Sequence, residues 1–176
     1  MGNFAIIAMK ELKTHFLRIF LALLVLGAAS ACDSVDDDRI PVMPVQITFN
    51  TIAEWNIYGV GGAMDYRRFI RDERIPANYP YTAMTYTGFG GVLLTCDVLG
   101  NPMAFDLACP VERKQSVRVQ INRDEYVAEC PVCHSTYDVF SLPGTPLSGP
   151  AANDGYALRR YRVGPSQGGA YMLISN

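Results

Sequence analysis

Cysteine, proline and histidine are concentrated in the stretch Cys130-Pro131-Val132-Cys133-His134-Ser135-Thr136-Tyr137-Asp138, and a shorter cysteine-proline stretch, Ala108-Cys109-Pro110-Val111, precedes it. Each stretch follows a predicted strand and lies on a proline-containing loop, so that two loop tips can converge on one site. The Cys-x-x-Cys spacing of Cys130 and Cys133 lets two thiolates face one ion, a common arrangement for zinc or iron. The sequence therefore predicts a metal-binding or thiol site formed by Cys109, Cys130, Cys133 and His134.

The residues around these loops have the pattern of an all-β domain. Short runs that alternate apolar and polar residues, separated by turn signals, predict strands. These runs cover residues 45–49, 91–97, 103–108, 116–121, 126–130, 158–163 and 171–174. Residues 65–71 are instead expected to form one or two helical turns. Short strands at this spacing indicate a β-sandwich or a small barrel.

From about residue 86 to the C-terminus the chain resembles the Rieske iron–sulfur family. The first loop of that family reads Cys-x-His and often follows a strand like Ala-Phe-Asp. Here Ala104-Phe105-Asp106-Leu107-Ala108-Cys109-Pro110-Val111 stands in its place. The second loop, Cys-Pro-x-His-Gly-Ser-x-Phe/Tyr-Asp, aligns without a gap with residues 130–138, and a proline loop over residues 142–151 follows in the family's order. The resemblance implies a Rieske-like (ISP-like) β-sandwich or small barrel with a metal-loop subdomain and a [2Fe-2S] centre.

The histidine count argues against the usual Rieske cluster. A Rieske centre uses two cysteines on one iron and two histidines on the other. Val111 occupies the first histidine position and Cys133 the second, with His134 one residue later. The chain has two histidines, and the other one, His15, falls in the predicted leader. One mature chain therefore cannot supply a Cys2His2 ligand set.

Three interpretations of the cysteine loops remain open. In the first, the cluster is lost and Cys109 forms a disulfide with Cys130 or Cys133, because the envelope oxidises thiols and some Rieske proteins join their two loops in this way. In the second, Cys109, Cys130, Cys133 and His134 bind one zinc or iron ion. In the third, an atypical [2Fe-2S] cluster is held by the three cysteines and a fourth ligand, for which Cys96 is the candidate.

The first 31 residues have the pattern of a bacterial lipoprotein signal peptide. A basic segment is followed by an apolar run and then by small residues directly before Cys32. The apolar segment 19–31 is 13 residues long, short of the roughly 20 that span a bilayer. We expect lipidation of Cys32, an acidic tether over residues 32–39 and the β domain over residues 40–176. The alternative is an ordinary signal peptide that leaves Cys32 as a free thiol.

These expectations place the protein in the cell envelope, as an outer-membrane lipoprotein held to the membrane through acyl chains on Cys32. The acidic residues after Cys32 either direct surface exposure or act as a plain spacer. The net charge of −2 argues against a nucleic-acid binder driven by bulk positive charge. Residues 39–176 are balanced, with 12 basic and 12 acidic residues, and they name no protein partner.

The sequence favours a role other than catalysis. It contains no recognisable paired-carboxylate site and no third group that would orient Cys109 and His134 as a nucleophile pair. The first functional expectation is a binding or assembly module that kept the Rieske-like scaffold and lost the electron chemistry. The alternatives are an electron-transfer protein with an atypical [2Fe-2S] centre and a structural domain stabilised by zinc.

Overall fold

The computed structural model describes residues 35–166 and 168–176, and it confirms an all-β domain. The strands are β1 (Val45–Phe49), β2 (Tyr66–Phe69), β3 (Tyr86–Thr87), β4 (Val92–Cys96), β5 (Pro102–Asp106), β6 (Gln120–Asn122), β7 (Val127–Glu129), β8 (Thr136–Asp138), β9 (Thr145–Ser148), β10 (Arg160–Gly164) and β11 (Met172–Ser175). Two short helices, α1 (Ile52–Tyr58) and α2 (Gly149–Asp154), complete the described part. None of its helices is long and apolar enough to cross a membrane. The predicted signal segment 1–31 and Cys32 lie outside the described residues.

The strands are arranged in two antiparallel sheets. Seven of them form a nearly closed, barrel-like sheet in the order β2-β4-β5-β10-β11-β1-β3. The other four form a smaller sheet in the order β6-β7-β8-β9. The Cys109 loop leads from the large sheet into β6, and the Cys130 loop joins β7 to β8. Both cysteine loops are therefore connected to the smaller sheet.

Strand β4 separates two apolar cores because both of its faces are buried. Successive side chains of a strand point to opposite faces, so Leu93 contributes to the first core and its neighbours Leu94 and Cys96 to the second. The first core also contains Cys109 and Cys130 and joins β4 and β5 to the smaller sheet. The second core is formed by strands of the large sheet together with Val60 and Tyr79. The cysteine loops thus belong to the first core.

The prediction of helical turns over residues 65–71 was wrong, because residues 66–69 form strand β2. The strand pairs with β4 from Tyr66 opposite Thr95 to Phe69 opposite Val92. Phe69 is fully buried in the second core. Pairing with a strand buried on both faces outweighs a weak local preference, because strand formation depends mainly on cross-strand packing.

Residues 36–40, which we call the N-terminal strap, lie against residues 155–159. Two backbone hydrogen bonds of 2.8 Å join Asp36 to this segment. The carboxylate of Asp38 accepts a 2.9 Å bond from Arg159 Nη2, and Ile40 is 1% exposed. Within the described residues, the predicted acidic tether is therefore held against the domain from Asp36 onward.

Candidate metal centre

The sulfur atoms of Cys109, Cys130 and Cys133 lie within 4.8 Å of one another, and we call these residues the cysteine group. The Sγ atoms of Cys109 and Cys133 are 3.6 Å apart, farther than the roughly 2.05 Å of a disulfide bond, and all three residues are free thiols. Cys109 and Cys130 are fully buried, whereas Cys133 is partly exposed. Zinc–thiolate bonds of about 2.3 Å in a tetrahedral site place sulfur atoms roughly 3.8 Å apart. The group therefore has the dimensions of a thiolate metal site.

The Cys130 loop is a tight turn that begins where β7 ends. The amide of Cys130 donates to the carbonyl of Ser135, and the amide of His134 donates to the carbonyl of Cys130, both at 3.0 Å. His134 closes the turn in the left-handed region, with φ +55°. This closure turns the chain back on itself, so that the sulfur of Cys133 faces the sulfur of Cys109 on the other loop.

The Cys109 loop begins three residues after a buried carboxylate. Oδ1 of Asp106 accepts a 2.7 Å bond from the amide of Ala108, and the amides of residues 89 and 90 each donate to the same carboxylate at 2.9 Å. Tyr161 adds a hydroxyl donor at 2.6 Å. Burial raises the pKa of Asp106 above its usual value, although all four donors oppose the shift. This carboxylate fixes the strand end from which Cys109 projects.

Two hydroxyl groups lie beside the sulfur atoms of the cysteine group. The hydroxyl of Tyr137 is 3.5 Å from Cys109 Sγ, and Oγ of Ser135 is 3.2 Å from Cys133 Sγ. Ser135 Oγ also accepts a bond from the amide of Ala151, which leaves its own proton free to face the sulfur. Burial raises the pKa of Tyr137 well above its usual range, so Tyr137 remains a phenol. Both hydroxyls can therefore donate hydrogen bonds to thiolates.

The thiols of Cys130 and Cys133 differ in acidity. Burial raises the pKa of Cys130 to about 12. Burial also opposes ionisation of Cys133, but hydrogen bonds with Ser135 and with the two other thiols hold its pKa below the usual value. Of the two, Cys133 ionises first. A bound cation favours the thiolate form of every ligand, and it is the cation that would bring Cys130 into that form near neutral pH.

The structure brings together three of the four ligands that the sequence predicted. His134 lies outside the cysteine group: its side chain is 73% exposed, and Nδ1 is 3.2 Å from Glu129 Oε1. Cys96 lies in the second core, on the opposite face of β4 from Leu93, so it is not placed to act as a fourth ligand. Val111, which the sequence comparison placed opposite a Rieske histidine, packs against the first core.

The residues that support the group are only weakly indicated by the sequence. Asp106 stands alone as a carboxylate between the apolar residues Phe105 and Leu107, and an acidic residue in a buried strand normally has a dedicated set of partners. Ser135 and Tyr137 belong to the aligned motif over residues 130–138, but nothing in their spacing indicates that their hydroxyls face sulfur. Only the folded geometry assigns them to the site.

No family model, curated protein or solved structure matches this chain. The resemblance to Rieske proteins therefore depends on the motifs in residues 104–111 and 130–151. The function is inferred from these motifs and from the geometry of the cysteine group.

Proposed function

We propose that this protein is an envelope lipoprotein whose Rieske-like β domain binds one thiophilic metal ion, in the first place zinc, through Cys109, Cys130 and Cys133. In this proposal the ion stabilises a binding or assembly module that carries out no reaction of its own. The observation that carries the proposal is the convergence of three sulfur atoms within 4.8 Å, from two separate loops.

The number of sulfur atoms favours one ion over a two-iron cluster. A [2Fe-2S] cluster is held by four protein ligands, whereas in the described residues three cysteines form the group and no histidine joins them. A single tetrahedral ion can be held by three protein ligands, because water can occupy its fourth position. Thiolates are soft ligands and select zinc, copper(I) or iron over calcium and magnesium.

The surroundings of the sulfur atoms also support metal binding. Three thiolates around a divalent cation leave one net negative charge, which has to be stabilised in a mostly buried site. The hydroxyls of Tyr137 and Ser135, at 3.5 and 3.2 Å from two of the sulfur atoms, are placed to donate to it. Outer hydrogen bonds of this kind orient metal ligands and tune their basicity.

A bound ion would tie the smaller sheet to the first core. Cys109 lies between β5 and β6, while Cys130 and Cys133 lie between β7 and β8, so one ion connects segments distant in sequence. Because the ligands converge only in the folded chain, the free energy of metal binding becomes free energy of folding. A structural ion of this kind suits a binding module, and no group in the site points to a substrate.

Metal analysis of the mature protein, purified anaerobically, tests the proposal. We expect about one zinc per chain and no visible absorption, with the metal lost in Cys109→Ser, Cys130→Ser and Cys133→Ser. Cys96→Ser is the matched control, because Cys96 is also a buried free thiol but lies in the other core; it should keep the metal. Two irons per chain with sulfide would instead establish the electron-transfer alternative. Metal-free protein with two fewer titratable thiols would establish the disulfide interpretation.

Envelope anchoring is supported by the leader pattern of residues 1–31 and by the position of Cys32 directly after it. Mass spectrometry of the protein from a bacterial host should find a mature chain that begins at an acylated Cys32. Cys32→Ser should move the domain from the membrane fraction to the soluble fraction without changing its metal content. A mature chain with an unmodified Cys32 would overturn the anchoring and leave the metal site untouched.

A further inference from the structure

The two cysteine loops share one backbone conformation. Each begins with Cys-Pro-Val, at Cys109 and at Cys130. In each, the amide four residues later donates to the carbonyl of the cysteine, from Arg113 at 2.8 Å and from His134 at 3.0 Å. These two closing residues have nearly identical left-handed angles, φ +54° and φ +55°. The loops are therefore two copies of the same turn.

The shared turn makes Glu112 the structural equivalent of Cys133. Both stand three residues after the first cysteine of their loop and directly before the left-handed residue. Both are partly buried. In the second loop this position supplies a sulfur to the cysteine group. In the first loop the same position carries a carboxylate, and carboxylate oxygen is an established zinc ligand.

The charge of Glu112 is poorly balanced within the described residues. Its side chain is 19% exposed, and its ionic contact is with Lys114 Nζ at 3.9 Å, the side chain of which is 67% exposed. A contact at this distance with an exposed lysine contributes little, while a carboxylate largely removed from water needs a closer positive partner. A metal ion at the neighbouring cysteine group would provide one.

We propose that Glu112 is the fourth ligand, so that the site is a Cys3Glu tetrahedron built from two equivalent turns. This inference rests on the proposed metal-binding function. In the structure the carboxylate lies beside Lys114 and outside the group of three sulfur atoms. Metal binding therefore requires rotation of the Glu112 side chain about its own torsions, while the backbone already holds the position that Cys133 occupies in the other loop.

Competition with a chromophoric chelator measures the effect of Glu112 on zinc affinity. Glu112→Gln keeps the shape of the side chain and removes its charge, and it should weaken zinc binding at least about tenfold, since even groups that only orient ligands are worth that much. Glu125→Gln is the matched control, because Glu125 is exposed in the turn between β6 and β7; it should leave the affinity unchanged. Glu112→Cys should restore or tighten binding and add the charge-transfer absorption of a fourth thiolate to the cobalt(II) spectrum.

The outcomes separate this inference from the function on which it rests. If the unmodified protein binds zinc and Glu112→Gln binds it equally well, Glu112 is not a ligand and the three-thiolate site stands. If Glu112→Cys gives the cobalt spectrum of three thiolates only, the equivalence of the two turns fails in the same way. If the unmodified protein takes up neither zinc nor cobalt, the proposed function itself is overturned. Circular dichroism of each variant confirms that the fold is retained.

Discussion

Cys109 Sγ and Cys133 Sγ lie 3.6 Å apart although 24 residues separate them in the chain. Two thiols this close can bind one metal ion together or form a disulfide bond, and each of these states excludes the other. Cys133 is the partly exposed member of the group and Cys109 is fully buried. An oxidant that enters from solvent therefore meets Cys133 first.

Oxidation of the metal-free protein should consume the Cys109 and Cys133 thiols. With oxidised glutathione, Cys133 forms a mixed disulfide and releases one glutathione thiolate, and Cys109 then displaces the second by attack on Cys133 Sγ. Thiol counting should show a loss of two thiols, and peptide mapping should identify the pair. Zinc should slow the reaction strongly, since coordinated thiolates are not free to attack. Equal rates with and without zinc would show that the metal does not occupy these sulfur atoms.

Replacement of His134 by alanine should leave zinc affinity unchanged. The ring is exposed and faces Glu129 Oε1 at 3.2 Å rather than the cysteine group. A chelator competition titration of His134→Ala beside Cys133→Ser, the adjacent proposed ligand, provides the comparison. Loss of zinc from the histidine variant would place His134 in the ligand set, as the sequence predicted, and would require the turn to open.

The left-handed backbone of His134 gives a second expectation at the same position. At φ +55°, the backbone of any residue other than glycine or asparagine is strained by about 1 kcal/mol. His134→Gly should therefore cost little stability or none, although glycine normally destabilises ordered structure. Urea denaturation with His134→Ala as the reference measures the difference. A glycine variant clearly less stable than the alanine variant would contradict it.

Asp106 should make the domain less stable as pH rises. Burial raises the pKa of its carboxyl in the folded state. Its contribution to the free energy of unfolding is therefore greatest below the ordinary aspartate pKa of about 3.9, and it is lost as pH rises through the raised pKa. Urea denaturation from pH 3.5 to 7 should show the stability of the unmodified protein falling relative to Asp106→Asn.

Asp97 supplies a control of opposite sign for that experiment. Hydrogen bonds from Asn101 hold the pKa of Asp97 below its usual value, so its contribution is present above about pH 3.9 and is lost as pH falls through the lowered value. The unmodified protein should therefore gain stability relative to Asp97→Asn as pH rises. If the stability difference from the unmodified protein changed with pH in the same direction for both variants, burial would not dominate the pKa of Asp106.

Gly90 should tolerate no side chain. A Cβ atom there would lie 2.5 Å from the backbone nitrogen of Ala108 and 2.7 Å from Asp106 Oδ1, so Gly90→Ala must displace the strand end that leads to Cys109. We expect a loss of about 2 kcal/mol or more in the free energy of unfolding. Gly61→Ala, where no atom lies within 4 Å of the added Cβ, should change it by less than about 0.5 kcal/mol. Equal stability of the two variants would refute the close contact.

Most strands could be predicted from alternating runs in the sequence, including the three-residue β7 within the run 126–130, but β3 and β8 could not. The prediction over residues 45–49 coincides with β1, and those over 91–97 and 171–174 overlap β4 and β11. Strands β3 and β8 have two and three residues, too few for a period of two to be visible. They form because a neighbouring strand offers hydrogen bonds, which is a property of the folded chain.

The sequence predicted the three cysteines of the candidate site but not the residues around them. The Cys-x-x-Cys spacing identified Cys130 and Cys133, and the other proline-containing loop identified Cys109. His134 was included because it is adjacent to Cys133, but the left-handed turn directs its ring towards Glu129. The equivalence of Glu112 to Cys133 is visible only when the two backbones are compared, since the spacing of a lone glutamate carries no signal.

The N-terminal strap determines how mechanical tension would enter the domain. Asp36 forms a parallel bridge with Tyr156, and the buried side chain of Ile40 follows it. A pull on the chain before Val35 is therefore resisted first by the bridge and then by the burial of Ile40, ahead of any strand of the large sheet. While the strap holds, such a pull would not load the strands that carry the cysteine loops.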